Sequence, residues 1–110
     1  MHFRAAVMHQ ANAPLTVETV EMAGLQPDDV LVRIGAASIC HTDLEVLSGE
    51  IRYPMPMVLG HEASGTVAET GRAVTSVRPG DRVVLSWNPH CGHCYYCENN
   101  QPILCEAYVK

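Results

Sequence analysis

A mainly β domain, a small barrel of short strands, is the fold class this sequence predicts. Short runs rich in Val, Ile, Leu, Thr and Ala recur between turns marked by Gly, Pro, Asn and Asp. At most one or two short helices fit between them. Apolar residues make up 47% of the chain, yet it has one Phe, one Trp and four Tyr, so the core must come from Val, Leu, Ile, Ala and Met. The 110 residues suit a single domain, one able to hide roughly two-thirds of its unfolded surface.

Phe3 to Met8 and Leu15 to Glu21 read as strands separated by a turn around Asn12-Ala13-Pro14. Gln26-Pro27-Asp28-Asp29 forms the next turn, and Val30 to Ala37 follows as a strand with Val30, Val32 and Ile34 on one face. His41 to Leu47 is a short helix closed near Ser48-Gly49, where glycine supplies the stop. Ile51 to Val58 carries Pro54 and Pro56, so it is expected to be extended and irregular. Glu62 to Glu69 is a strand rich in small residues. A turn at Thr70-Gly71, the segment Val74 to Val77 and a turn at Arg78-Pro79-Gly80-Asp81 then lead into a last strand, Arg82 to Ser86. There is no internal repeat and no low-complexity linker.

Net charge is −5 and no run of Lys or Arg exists, which argues against nucleic acid or an anionic membrane as partner. No stretch approaches the length of a membrane span. The start, MHFRAAVMHQ, lacks the apolar run of a signal peptide, so a cytoplasmic location is expected. Five cysteines, an odd number, fit four-plus-one metal ligation in a reducing compartment better than a disulfide framework.

Cys91, Cys94, Cys97 and Cys105 are separated by two, two and seven residues in CGHCYYCENNQPILC. A two-residue gap lets neighbouring sulfurs converge, and Zn²⁺ accepts four thiolates without redox chemistry. The polar centre Glu98-Asn99-Asn100-Gln101-Pro102 marks a lobe, about residues 88–107, ordered by metal instead of by a core. His90 and His93 lie among these cysteines and are expected outside the ligand set. An iron–sulfur reading fits less well: the bacterial run closes with a three-residue gap and a proline, whereas here the gap is seven and Glu106 follows Cys105. Upstream, Cys40 in ICHTD and His61 in GHEASG offer one thiolate and one imidazole with no close-spaced fourth partner, the pattern of an open metal site.

Gly60-His61-Glu62-Ala63-Ser64-Gly65-Thr66-Val67, followed by Gly71 and Val74, resembles the signature of zinc-dependent alcohol dehydrogenases in the medium-chain dehydrogenase/reductase superfamily. Cys40-His41-Thr42-Asp43, the turn Pro79-Gly80-Asp81-Arg82-Val83 and the cysteine lobe extend the resemblance, in family order, over nearly the whole chain. It implies a GroES-like, partly open β-barrel with short helices and a structural-zinc lobe, the N-terminal catalytic domain of that family.

The resemblance also implies roles. Cys40 and His61 would hold a catalytic zinc, and Cys91, Cys94, Cys97 and Cys105 a structural one. Asp43 would orient His61 by accepting its second ring N–H, and Glu62 would stand near the metal as support or alternative ligand. Thr42 would pass on the substrate proton, and His41 would meet the cofactor pyrophosphate. Trp87 and Ile51 would line the substrate pocket. Glu45 stands where many relatives place a histidine that ends the proton relay. The implied reaction is hydride transfer between a small alcohol and NAD or NADP, giving an aldehyde or ketone, in a full-length enzyme expected to be a homo-oligomer.

Two family parts are not found in these residues. The third protein ligand of the catalytic zinc is a cysteine beyond Lys110 in the family's order. The nucleotide-binding domain is also absent, since none of the eight glycines forms G-x-G-x-x-G and no βα pattern follows Cys105. The chain is therefore expected to be one portion of such an enzyme, inactive alone and in need of the nucleotide-binding domain. The rival reading is a non-catalytic zinc-binding domain serving as a structural or interaction module. A metal-free relative of the quinone-reductase type is disfavoured by the intact ligands.

Overall fold

The computed structural model describes residues 1–108. In chain order the elements are β1 (His2–Met8), β2 (Thr16–Glu21), β3 (Val30–Ala37), α1 (His41–Ser48), β4 (Met57–Val58), β5 (Ala63–Thr70), β6 (Arg82–Val84), α2 (Tyr95–Glu98) and a 3₁₀ turn at Pro102–Leu104. The strands form two antiparallel sheets, β2-β1-β4 and β3-β5-β6. No described helix is long and apolar enough to cross a membrane.

The strands read from hydrophobic pattern are present, with differences that local chemistry explains. The Pro-bearing segment is irregular until Met57, where two residues pair with β1 (Val7↔Val58 and Met8↔Met57). Pro54 and Pro56 have no N–H to donate, so pairing begins only after them. The last strand ends at Val84, although Leu85 N–H still donates to the Ala63 carbonyl at 2.9 Å. The two short helical turns of the cysteine lobe were not legible, being too brief for an apolar period to show.

Helix α1 ends as the glycine predicts: Gly49 has φ 83° and its N–H donates to the Val46 carbonyl at 3.0 Å. A second stop comes from far away in sequence. Asn12 donates its backbone N–H to the Leu47 carbonyl at 2.8 Å and its Nδ2 to the Ser48 carbonyl at 3.0 Å. The turn after β1 thus satisfies helix-end carbonyls that would otherwise lack partners.

Among the described residues Val7, Met8, Val46 and Val67 are the buried apolar side chains of the strands and α1, and Cys105 is buried in the cysteine lobe. Adjacent strand residues point to opposite faces, so burial of both Val7 and Met8 means that both faces of β1 are covered at this end. The radius of gyration, 15.8 Å, exceeds the ~13 Å of a compact domain this size. Accordingly the β3-β5-β6 side keeps apolar side chains in solvent, with Val84 83% and Trp87 66% exposed.

Candidate metal centres

Antiparallel pairing of β3 with β5 builds the first centre. Its last pairs are Ala36↔Ser64 and Ala37↔Ala63. One step beyond the ladder, Ser38 and Glu62 face each other, and Ser38 N–H donates to the Glu62 carbonyl at 3.1 Å. Cys40 follows Ser38 by two residues and His61 precedes Glu62 by one, so the strand ends bring the two together. Cys40 Sγ, a His61 ring nitrogen and a Glu62 carboxylate oxygen all lie within 4.8 Å of one another. A thiolate, an imidazole and a carboxylate make a donor set suited to Zn²⁺.

The start of α1 fixes the rest. Cys40 is the N-cap residue, in extended conformation, and its backbone N–H donates to Asp43 Oδ2 at 3.0 Å. Asp43 Oδ1 lies 3.4 Å from His61 Nδ1, and the Asp43 side chain is only 10% exposed. One carboxylate therefore anchors the helix start and faces the imidazole, leaving Nε2 as the ring nitrogen for a metal. Thr42 Oγ1 is 3.7 Å from Cys40 Sγ. His41 points to solvent, 80% exposed, with Nε2 3.8 Å from Glu45 Oε1.

Above this group is a cavity of about 450 Å³. Cys40, Thr42, Asp43, His61 and Glu62 form its polar side, and Val46, Tyr53, Met57, Val58, Leu59 and Trp87 its apolar side. Trp87 is among its lining residues and Ile51 is not. Sequence reasoning missed Ser38 and Tyr53. Ser38 is marked only by the strand register, and Tyr53 sits in a Pro-flanked segment that has no period to read.

The second centre lies in the lobe. The sulfurs of Cys91, Cys94, Cys97 and Cys105 all lie within 4.8 Å of one another, and the Cys91 and Cys97 Sγ atoms are 4.0 Å apart. All are free thiols, and His90 and His93 stand outside the group. Cys94 caps α2, Cys97 lies within it, and Cys105 ends the 3₁₀ turn with its side chain fully buried. Backbone amides point inward, as with Cys91 N–H donating to Cys105 Sγ at 3.3 Å. The N–H groups of Cys97 and Glu106 pull the Cys94 thiol down to about 6, whereas burial pushes Cys97 up to about 11. Burial also opposes ionisation of Cys105, but the N–H groups of Cys91 and Ala107 outweigh it and lower its pKa. Four thiols crowded together hold their protons unevenly, and a divalent cation would let all four ionise, so the residues fit zinc.

Comparison with known proteins shows the family. The family model described as "Alcohol dehydrogenase GroES-like domain" matches residues 26–109. Over 102 residues the chain is 48% identical to a geraniol dehydrogenase from Castellaniella defragrans, covering 93% of this chain and 27% of that protein. It is 40% identical to an NDMA-dependent alcohol dehydrogenase from Amycolatopsis methanolica, covering 96% of this chain and 29% of the relative. The crystal structure of benzyl alcohol dehydrogenase from Acinetobacter calcoaceticus superposes with a TM-score of 0.87 at 37% identity, covering 98% of this chain and 30% of that one. The chain thus spans under a third of the length of these relatives. Its fold is that of their GroES-like domain, and the chain belongs to the alcohol dehydrogenase GroES-like domain family.

Proposed function

We propose that these residues are the N-terminal catalytic-domain portion of a zinc-dependent, NAD(P)-linked alcohol dehydrogenase that interconverts alcohols with aldehydes or ketones. The convergence of Cys40, His61 and Glu62 on the polar wall of a cavity whose opposite side is apolar carries the reading. In it, Cys40 Sγ and His61 Nε2 would hold the catalytic zinc with Glu62 at hand, and the four lobe cysteines would hold the structural one. Zinc at the open centre supplies Lewis acidity that lowers the pKa of an alcohol oxygen. Thr42 Oγ1, beside Cys40, would accept the alcohol proton while giving up its own hydroxyl proton outward to solvent, so that the hydroxyl stays neutral. Asp43 keeps the His61 ring turned with Nε2 free. Tyr53, Met57 and Trp87 receive the hydrocarbon part of the substrate and exclude water, which favours an alcohol with an apolar substituent.

The described strand pairs are antiparallel, and a parallel βαβ unit that could hold the dinucleotide is assigned in this reading to a further domain. His41 is the group assigned here to meet the cofactor pyrophosphate, and its exposure leaves it accessible. The exposed Val84 and Trp87 suit a further domain closing over that side.

The test is NAD(P)-linked oxidation of short, long and aromatic alcohols with zinc present. The 110 residues alone are expected to show no turnover, because positioning of nicotinamide against substrate supplies several kcal/mol of barrier lowering that they cannot provide. Supplying the nucleotide-binding portion should restore activity, and Cys40→Ala or His61→Ala should remove it again. Full zinc loading without activity in the completed protein would favour the non-catalytic zinc module. Asp43→Asn is expected to weaken zinc binding at the open centre about ten- to a hundredfold, read by competition with a chelating dye. Unchanged affinity would remove Asp43 from the supporting role.

A further inference from the structure

We propose that Ser38 is a positioning residue that holds the Glu62 carboxylate within reach of the metal at Cys40 and His61. The proposal rests on the reading of that group as the catalytic centre. Ser38 Oγ donates to Glu62 Oε2 at 2.5 Å, the short distance of a hydroxyl bonded to a charged carboxylate. The backbone bond from Ser38 N–H to the Glu62 carbonyl, 3.1 Å, ties the same two residues together at their main chains. Both ends of the glutamate are therefore fixed by one partner.

The strand register explains why this partner is at position 38. Ala36↔Ser64 and Ala37↔Ala63 are the last pairs of the β3–β5 ladder, which sets Ser38 directly opposite Glu62. Ser38 lines the hollow on the flank of the site, shared with Glu62, His61 and Trp87, but not the substrate cavity itself. It acts through Glu62 and not on the substrate. An exposed glutamate samples many rotamers and must give up that freedom to ligate a metal. With Oε2 held by Ser38, much of it is already lost, and the carboxylate stays within reach of a metal held by Cys40 and His61. Alanine at position 38 would release the carboxylate into solvent without disturbing the ladder.

The experiment uses the chain completed with its nucleotide-binding portion, its cysteine lobe loaded with zinc, and titrates Co²⁺ into the open centre while following the thiolate-to-cobalt and d–d absorption bands. The parent is expected to give a saturable spectrum that Cys40→Ala abolishes. Ser38→Ala should weaken cobalt binding about tenfold and alter the d–d bands, and Ser38→Thr should restore both. In a Glu62→Gln background, Ser38→Ala should add nothing, because its effect passes through the carboxylate. Parent-like cobalt binding in Ser38→Ala, or a loss that persists undiminished with Glu62→Gln, would overturn the proposal alone. If the parent gives no spectrum dependent on Cys40, the catalytic-centre reading fails and the proposal fails with it.

Discussion

Cys105→Ser is expected to cost the lobe its metal and open residues 91–105 to protease, while the two sheets stay folded. The lobe has almost no core of its own: α2 and the 3₁₀ turn pack chiefly against each other, and Cys105 is its fully buried side chain. Metal ligation must supply the ordering free energy, on the order of ten kcal/mol for small zinc sites at neutral pH. Cys105 closes the longest gap of the ligand set, so losing it leaves three thiolates on a short run and frees the rest. Elemental analysis after desalting should show about one zinc per chain in the parent and in Cys40→Ala, and little in Cys105→Ser. Limited proteolysis should cut Cys105→Ser between Cys91 and Cys105 first. A variant that keeps its zinc and resists cleavage like the parent would refute the four-thiolate centre.

Gly71→Ala should destabilise the domain by about 3 kcal/mol or more, the upper range for forcing atoms into packed structure. A Cβ at Gly71 would lie 2.2 Å from the Gln26 carbonyl oxygen, 2.3 Å from that of Pro27 and 2.5 Å from the Pro27 carbonyl carbon. All three are backbone atoms, so no side chain can swing away. Relief requires parting two turns held by Gly71 N–H to Asp29 O at 2.7 Å and Ala73 N–H to Pro27 O at 2.8 Å. Gly65→Ala meets a similar obstacle, with Arg33 O at 2.2 Å across the β3–β5 ladder. Gly24→Ala is the control, since nothing lies within 4 Å of its Cβ position. Urea unfolding compares the three: a Gly71→Ala midpoint equal to that of Gly24→Ala would show that the close approach is not there.

These two glycines also show how the motif and the fold are related. In the sequence, Gly65 and Gly71 are spaced members of the segment that begins Gly60-His61-Glu62. Only the paired backbone shows what they do: one lets β5 lie against β3, the other lets two turns touch, and together they hold the strand that His61 precedes by two residues. The cysteine lobe was legible for the opposite reason. Its ligands lie so close in sequence that a metal can gather them with little help from the rest of the chain.

The order of strands, the helix after Cys40 and its glycine stop were legible because they follow from local alternation, turn chemistry and capping. β4 was not, because two residues after a proline run carry no period. Asn12 closing α1 was not either, because the bonds join segments far apart in sequence.

The sequence by itself determined which atoms are available to hold metal: four close-spaced thiolates, and a separate thiolate, imidazole and pair of carboxylates. Local spacing and side-chain chemistry suffice for that. Tertiary structure decided which of them meet. The β3–β5 register, with irregularities between Leu31 and Val32 and between Ile34 and Ala36, places Ser38 opposite Glu62 and delivers Cys40 beside His61. A shift of one residue would turn those side chains to the other face, because strand side chains alternate with a period of two. Register is set by packing and by close backbone approach over many residues, and no short motif records it.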